Sequence, residues 1–304
     1  MMGKRNISAR RGKNLSSKEI IFLCAIVLIS LLVWYVVEGR SETQAPDVTV
    51  SDECEIVMID VGQGDAFLLR SGEACVLIDT GTGKERGKLD AYLKSAGVAR
   101  IDYLILSHPH EDHIGNADYV IKNYKVAHLV MPDAQTNTSC FERLLNAADR
   151  AGLEIEVPLK GDVFSAGDMR FTVLNDDENV HGSNLNLYSL VIRMDFGEVS
   201  ALFTGDAEKW NENELLKGDK TLLDCDILKV GHHGSDTSNS DKFIAAVSPS
   251  VGLISCGAGN DYGHPHKNAL KVLQKYKVTV YRTDLESTVS VVTDGKNIWR
   301  ERDN

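Results

Sequence analysis

Between His108 and His113 the chain carries three imidazoles and two carboxylates, in the run Ser107-His108-Pro109-His110-Glu111-Asp112-His113-Ile114-Gly115. Packing gains little from such side chains unless something satisfies them. In extended chain His108 and His110 project to one side, while Asp112 and His113, at the end of the loop, can turn toward a second point. Neutral nitrogens and carboxylate oxygens spaced this way fit a two-metal site in which dications activate water. The plain alternative is a solvated polar loop, and the recurrence of similar clusters elsewhere weighs against it.

Three further clusters follow apolar runs. Thr204-Gly205-Asp206 follows 201–203, Gly231-His232-His233-Gly234-Ser235 follows 227–230, and Tyr262-Gly263-His264-Pro265-His266 follows 251–255 and a glycine-rich turn. Ligands placed at strand ends can converge on one edge of a layered sheet structure.

The elements that must position these clusters are legible from hydrophobic period and turn residues. Strands are predicted over 55–60, 66–70, 75–79, 103–106, 126–131, 170–174, 188–194, 199–204, 227–230, 251–255, 278–281 and 288–293. Helices are predicted over 88–96, 114–124, 140–151, 209–216, 241–247 and 267–275. Strands in two batches with helices interspersed predict an α/β fold, two sheets face to face with helices outside.

The first forty residues differ in kind. Lys4, Arg5, Arg10, Arg11, Lys13 and Lys18 precede 20–37, eighteen residues without a charge. A run of that length just spans the hydrocarbon of a bilayer, and the basic excess before it keeps the N-terminus in the cytosol. The reading is a basic cytoplasmic segment (1–19), one N-terminal transmembrane helix (20–37), a linker (38–53) and a folded unit (54–304). This places the folded unit outside a cell membrane as a single-pass protein. A cleaved leader, giving a secreted protein, is the alternative, but Trp34-Tyr35 near the end of the run suits an interfacial anchor better than a cleavage site.

Seven of the 33 Lys and Arg and two of the 44 Asp and Glu lie in the first forty residues, leaving 26 against 42 beyond them. A balance so acidic disfavours a long basic track for nucleic acid. The 43% hydrophobic content supports a substantial core. None of the six cysteines forms a C-x-x-C pair, so a cysteine zinc site is not expected.

The cluster at 108–113 has the HxHxDH form of the metallo-β-lactamase superfamily, and Leu77-Ile78-Asp79-Thr80-Gly81 and Thr204-Gly205-Asp206 resemble its flanking motifs. More narrowly, Asp60-Val61-Gly62-Gln63-Gly64-Asp65, Leu228-Lys229-Val230-Gly231-His232-His233-Gly234-Ser235 and Tyr262-Gly263-His264-Pro265-His266 resemble the hydrolase domain of ComEC-type competence proteins. The likeness runs over about 54–294, without the polytopic channel region of those proteins.

The resemblance implies an αββα sandwich with two divalent metal ions at its edge, zinc first and manganese as the alternative. His108 and His110 would hold the first metal, Asp112 and His113 the second, with Asp206 bridging. One of His232 and His233 would complete the second metal; His233 is preferred, leaving His232 near the substrate. Asp79 would accept a hydrogen bond from a ligand histidine and fix its tautomer. The superfamily's third histidine on the first metal is missing. Asn186 stands near its place, His181 lies five residues earlier, and the sequence leaves the choice between them open.

The implied reaction is metal-dependent hydrolysis of a phosphodiester, with DNA as the family's substrate. Asp112 would ligate and orient the nucleophile, and His264, His232 or Lys229 would aid the leaving oxygen or bind phosphate. For His264 the alternative is a turn residue, and for Lys229 a surface charge. Asp60, Gln63 and Asp65 read equally as turn stabilisers and as support for the site. Lys84, Arg86, Lys88 and Lys267 are the candidates for a local DNA-binding patch. The acidic balance keeps smaller substrates open, such as a phosphocholine ester, a nucleotide or a lactam, as well as a non-catalytic binding module of DNA uptake.

Overall fold

The structure is a computed structural model and describes residues 53–175 and 182–301. The expected anchor at 20–37, the linker up to residue 52 and His181 lie outside the described residues. Among the described residues no helix is long and apolar enough to cross a membrane.

Six strands open the fold: β1 (Cys54–Met58), β2 (Phe67–Ser71), β3 (Ala74–Ile78), β4 (Arg100–Ile105), β5 (Lys125–Val130) and β6 (Ile155–Glu156). Seven more form a second sheet: β7 (Val163–Ala166), β8 (Met169–Val173), β9 (Ile192–Phe196), β10 (Val199–Phe203), β11 (Ile227–Lys229), β12 (Val251–Ile254) and β13 (Thr279–Arg282). The chain then returns to the first sheet with β14 (Val289–Thr293) and β15 (Ile298–Glu301), giving the order β15-β14-β1-β2-β3-β4-β5-β6. That return corrects the expectation of two sequential batches: β14 pairs antiparallel with β1, Val57 opposite Ser290. Pairing between the two ends of a domain leaves no local trace in sequence.

Side-chain alternation explains the layers. Ile56, Met58, Phe67, Leu69, Val76 and Ile78 face the core between the sheets, where they meet Ala201, Phe203 and Ile227. Their neighbours Val57, Ile59, Leu68 and Leu77 point the other way, against helices α1 (Arg86–Ser95), α2 (Glu111–Ile114), α3 (Ala117–Asn123) and α4 (Ser139–Ala151). On the second sheet Leu202, Leu228 and Val230 pack against α5 (Lys209–Leu215), α6 (Asp241–Val247) and α7 (Lys267–Lys275). A short α8 (Thr283–Glu286) follows β13. Sheets apolar on both faces with helices on each outer face make an αββα sandwich.

The helix expected over 114–124 is instead two, α2 and α3, broken at Gly115-Asn116. A Cβ on Gly115 would stand 2.4 Å from the Gly83 nitrogen, so the chain crosses here at backbone contact. The Asn116 amide donates to the carbonyls of Thr80 (2.9 Å) and Thr82 (2.8 Å), which tie the break to the loop after β3. The strand expected from 188 begins only at Ile192, because 185–188 form a tight 3-10 turn.

Strands β3 to β6 run parallel, as do β10 to β13. Parallel strands place their carboxyl ends at one edge, and the polar clusters all leave those ends. Crevices outside the carboxyl ends of parallel strands are where α/β folds hold ligands.

Candidate metal centre

Asp79 leaves β3 in a left-handed conformation, φ 59°. Its carboxylate accepts from the Ser107 backbone N–H and hydroxyl, both at 2.7 Å, so the ends of β3 and β4 are clamped together. The same carboxylate meets His113 Nδ1 at 2.8 Å. Because a carboxylate only accepts, Nδ1 carries the proton, and Nε2 is the atom turned to the site.

From the loop between β4 and α2, His108 Nε2 and His110 Nδ1 face each other at 2.9 Å. Asp206, at the turn after β10, reaches into the same space. Its Oδ2 lies 3.3 Å from His113 Nε2, 3.5 Å from His232 Nε2 and 3.9 Å from His108 Nε2. His232 and His233 follow β11 with φ of 50° and 53°, a costly backbone for residues with a Cβ. That turn sends the two rings in different directions. His233 Nε2 stands 3.3 Å from Asp112 Oδ2 and 3.5 Å from Asp206 Oδ1, while its Nδ1 meets the Ser255 carbonyl at 2.8 Å. The His232 ring lies at the rim, with Nδ1 3.0 Å from Thr237 Oγ1.

Asp112, His113, Asp206 and His233 thus bring four donor atoms within 4.8 Å of one another. His113 Nε2, His233 Nε2 and Asp206 Oδ1 are buried and make no hydrogen bond. Buried polar atoms are rarely left so. A cation that accepts lone pairs from all of them removes the cost, so these residues fit a metal ion.

Asn186 lies in the 3-10 turn before β9 and also lines the cleft. Its amide nitrogen donates to Glu208 Oε1 at 3.1 Å, while its buried Oδ1 makes no hydrogen bond. Glu208 therefore fixes which end of the amide is free, and it is the oxygen. Sequence reading missed Glu208; the signal was its place two residues after the Asp206 turn.

Burial and neighbouring charge act against each other here. For His113 burial lowers basicity, but Asp206, Asp112 and Asp79 outweigh it and hold the imidazole well above its ordinary range. The same holds for His233, where Asp206 and Asp65 overcome burial. His108 is held well below its ordinary value by burial and by His113. His264 is pushed down to about 4 by burial and by His233 and His232.

Lys229 requires a correction. It is neither a surface charge nor a phosphate contact: the side chain is 2% exposed, with Nζ 2.6 Å from Asp65 Oδ2, 2.6 Å from the Gly205 carbonyl and 3.6 Å from Asp206 Oδ1. Burial lowers its basicity, yet Asp65 and Asp206 more than restore it. Asp65 stands 3.2 Å from His233 Nδ1, so the Asp65–Lys229 pair props two members of the cluster from behind.

The remaining expected residues divide. His264 and Gln63 line the same open cleft of about 240 Å³, with Gln63 Nε2 3.5 Å from His264 Nδ1. Asp60 instead caps its own turn, accepting from the Gly62 N–H, and pairs with Lys88 at 3.4 Å. Arg86 and Lys88 are engaged with Asn116 and with Asp60 and Glu85, and these two, with Lys84 and Lys267, are exposed but do not line the cleft. Among the described residues lining the cleft there is no Lys or Arg.

Residues 59–258 match the metallo-beta-lactamase superfamily. The chain belongs to this family. It is 36% identical over 258 residues to ComE operon protein 3 of Bacillus subtilis, covering 79% of this chain and 33% of that protein. It is 32% identical over 242 residues to Recombination protein 2 of Haemophilus influenzae, covering 78% and 28%. The chain thus spans a third or less of the length of either relative. Among solved structures, CmlA, a diiron beta-hydroxylase from Streptomyces venezuelae, superposes with a TM-score of 0.54 at 14% identity, over 81% of this chain and 54% of that one. The chain is a metallo-beta-lactamase-fold hydrolase related to ComEC-type competence proteins, with a His/Asp site suited to metal.

Proposed function

We propose that this protein is a metal-dependent phosphodiesterase, a nuclease of ComEC-like type, anchored in the cell membrane by residues 20–37 with its hydrolase domain outside. The anchor rests on the basic segment and the eighteen uncharged residues behind it. The observation that carries the chemistry is the convergence of three buried, unbonded donor atoms, on His113, His233 and Asp206.

His108 and His110, with the Asn186 oxygen, would hold the first metal. Asp112, His113 and His233 would hold the second, with Asp206 between the two sets of donors. Dications bound there would supply a water of lowered pKa and positive charge for the phosphoryl oxygens. Asp112, at the cleft wall, would orient the nucleophile. His232 and His264 line the same cleft with rings 5.5 Å apart and would aid the leaving oxygen. Two imidazoles at each site suit zinc, and the amide oxygen at the first favours a harder ion such as manganese there.

The cleft lining favours one substrate form. With Glu111, Asp112 and Asp206 but no Lys or Arg among the described lining, it would draw a phosphodiester through cations held by its own donors rather than by a basic track. A single strand threaded past the centre suits this better than a duplex held along many phosphates.

The test is metal analysis of the full chain together with turnover of a single-stranded oligonucleotide, bis-p-nitrophenyl phosphate and a chromogenic lactam. About two dications per chain and cleavage of the two phosphodiesters are expected, with Asp112→Ala losing both metal and turnover. Equal rates from wild type and Asp112→Ala would remove the mechanism, and turnover of the lactam alone would replace the substrate class.

A further inference from the structure

The loop between β12 and α7 carries Tyr262, whose side chain is among the most exposed large hydrophobic groups of the described residues, at 67%. It does not sit at a random surface position. Tyr262 lines the metal-site cleft, and its ring lies nearly parallel to that of His264, with centroids 5.6 Å apart and planes at 18°. His264 in turn meets His232 edge-on at 5.5 Å and His266 at 4.9 Å. A file of flat rings therefore runs from the metal cluster outward to Tyr262.

The loop that presents this ring is tied down. Asn260 Oδ1 accepts from the backbone N–H of Tyr262 (3.2 Å) and of His264 (3.0 Å), and its amide donates to the carbonyls of Gly257 (2.9 Å) and His264 (2.7 Å). Gln63 accepts from the Gly257 N–H at 3.2 Å, joining the loop to the other wall of the cleft. The loop is fixed by these bonds, yet the ring it carries stays largely in water, where its apolar faces gain little from folding. Its use is for something that arrives.

Resting on the phosphodiesterase reading of this site, we propose that Tyr262 is a stacking platform for a base of single-stranded nucleic acid whose phosphate lies at the metal centre. Stacking suits this cleft because it needs no lysine or arginine, and the lining has neither among the described residues. It is also tolerant of sequence, since every base has a π-face.

The experiment compares wild type, Tyr262→Ala and Tyr262→Trp as full chains, loaded with dications. One assay measures kcat and KM on a single-stranded oligonucleotide, on the same strand with abasic residues, and on thymidine 5′-methyl phosphate. A second follows quenching of 2-aminopurine in a cleavage-resistant phosphorothioate strand. Tyr262→Ala should raise KM for the base-bearing strand by roughly 5- to 150-fold and reduce the preference for it over the abasic strand by the same factor. Tyr262→Trp should restore both, and quenching should be lost only in Tyr262→Ala. An unchanged preference, or a wild type that does not quench, overturns the platform; dependence on Tyr262 for the mononucleotide alone overturns the strand as its source. Quenching by wild type without cleavage of any diester would leave the platform standing and remove the phosphodiesterase reading.

Discussion

Replacing Lys229 with methionine keeps the length and apolar stem of the side chain and removes one buried charge. In the folded protein Nζ stands 2.6 Å from Asp65 Oδ2 and 3.6 Å from Asp206 Oδ1, at 2% exposure. Solvent cannot take its place. Removing one partner of such a pair leaves an uncompensated buried carboxylate and costs about 3–5 kcal/mol. For a domain of this size that lowers Tm by roughly 6–20 °C. Thermal and urea unfolding in chelator measure the loss, and a second series with added dications measures its rescue. Because the ions bring positive charge to Asp206, they should raise Tm more in the variant than in wild type.

The same substitution has a pH signature. Burial raises the Asp65 carboxyl, but Lys229 and His233 outweigh it and hold its folded value below the ordinary one. A depressed carboxyl contributes stability that is present above its unfolded value, about 3.9, and is lost as pH falls through the folded value. Lys229 itself is raised, so its contribution is present below about 10.4 and lost only above that. The stability gap between wild type and Lys229→Met should therefore be widest between about pH 4 and 10, and close in acid as Asp65 takes up its proton. A variant in chelator within about 1 kcal/mol of wild type at pH 7, or a gap that widens below pH 4, would refute the assigned role.

A Cβ on Gly64 would lie 2.3 Å from the Asp112 carbonyl oxygen at φ +142°, so Gly64→Ala should destabilise by about 1–3 kcal/mol in urea unfolding and lower metal content. Gly87, on α1 with nothing within 4 Å, is the control: Gly87→Ala should stabilise by about 0.5–1 kcal/mol. Glu208→Leu should weaken binding at the first metal roughly 10- to 100-fold in a competition titration, because no acceptor then holds the Asn186 nitrogen and keeps its oxygen turned to the site.

What was legible in the sequence was what lies close in the chain. The apolar run into Ser107 and the cluster behind it belong to one strand and one loop, so residue type and spacing sufficed to place His108, His110, Asp112 and His113 at a common edge. The groups that hold them were illegible because they come from far away: Asp65 and Lys229 are 164 positions apart, and Glu208 reaches back to Asn186 across 22. One signal was available. Lys229 interrupts the apolar stretch Ile227-Leu228-Lys229-Val230 in a strand flanked by parallel neighbours, β10 and β12. Such a strand is covered on both faces, so a lysine there must be buried, and a buried lysine must have an anionic partner. The break at Gly115 was hidden for the opposite reason: periodicity sees side chains, and this break is a contact between backbones.

The cluster makes physical sense only as a pre-stressed one. Asp65, Asp79, Asp112 and Asp206 all approach His113, at 3.7, 2.8, 3.9 and 3.3 Å. Asp79, His232 and His233 hold left-handed backbone there, at about 1–3 kcal/mol each. Lys229 is one fixed cation against four acids, and the imidazoles answer by holding protons: His113 and His233 are both driven well above their ordinary range. Those are the two rings whose Nε2 atoms lack hydrogen-bond partners. A dication taken up by Nε2 must displace a proton, so binding should release protons and tighten as pH rises. Lys229 is thus set where it holds Asp65 and Asp206 together through that exchange, while Asp79 keeps the His113 ring in place and the unbonded Nε2 atoms of His113 and His233 are left for the metal.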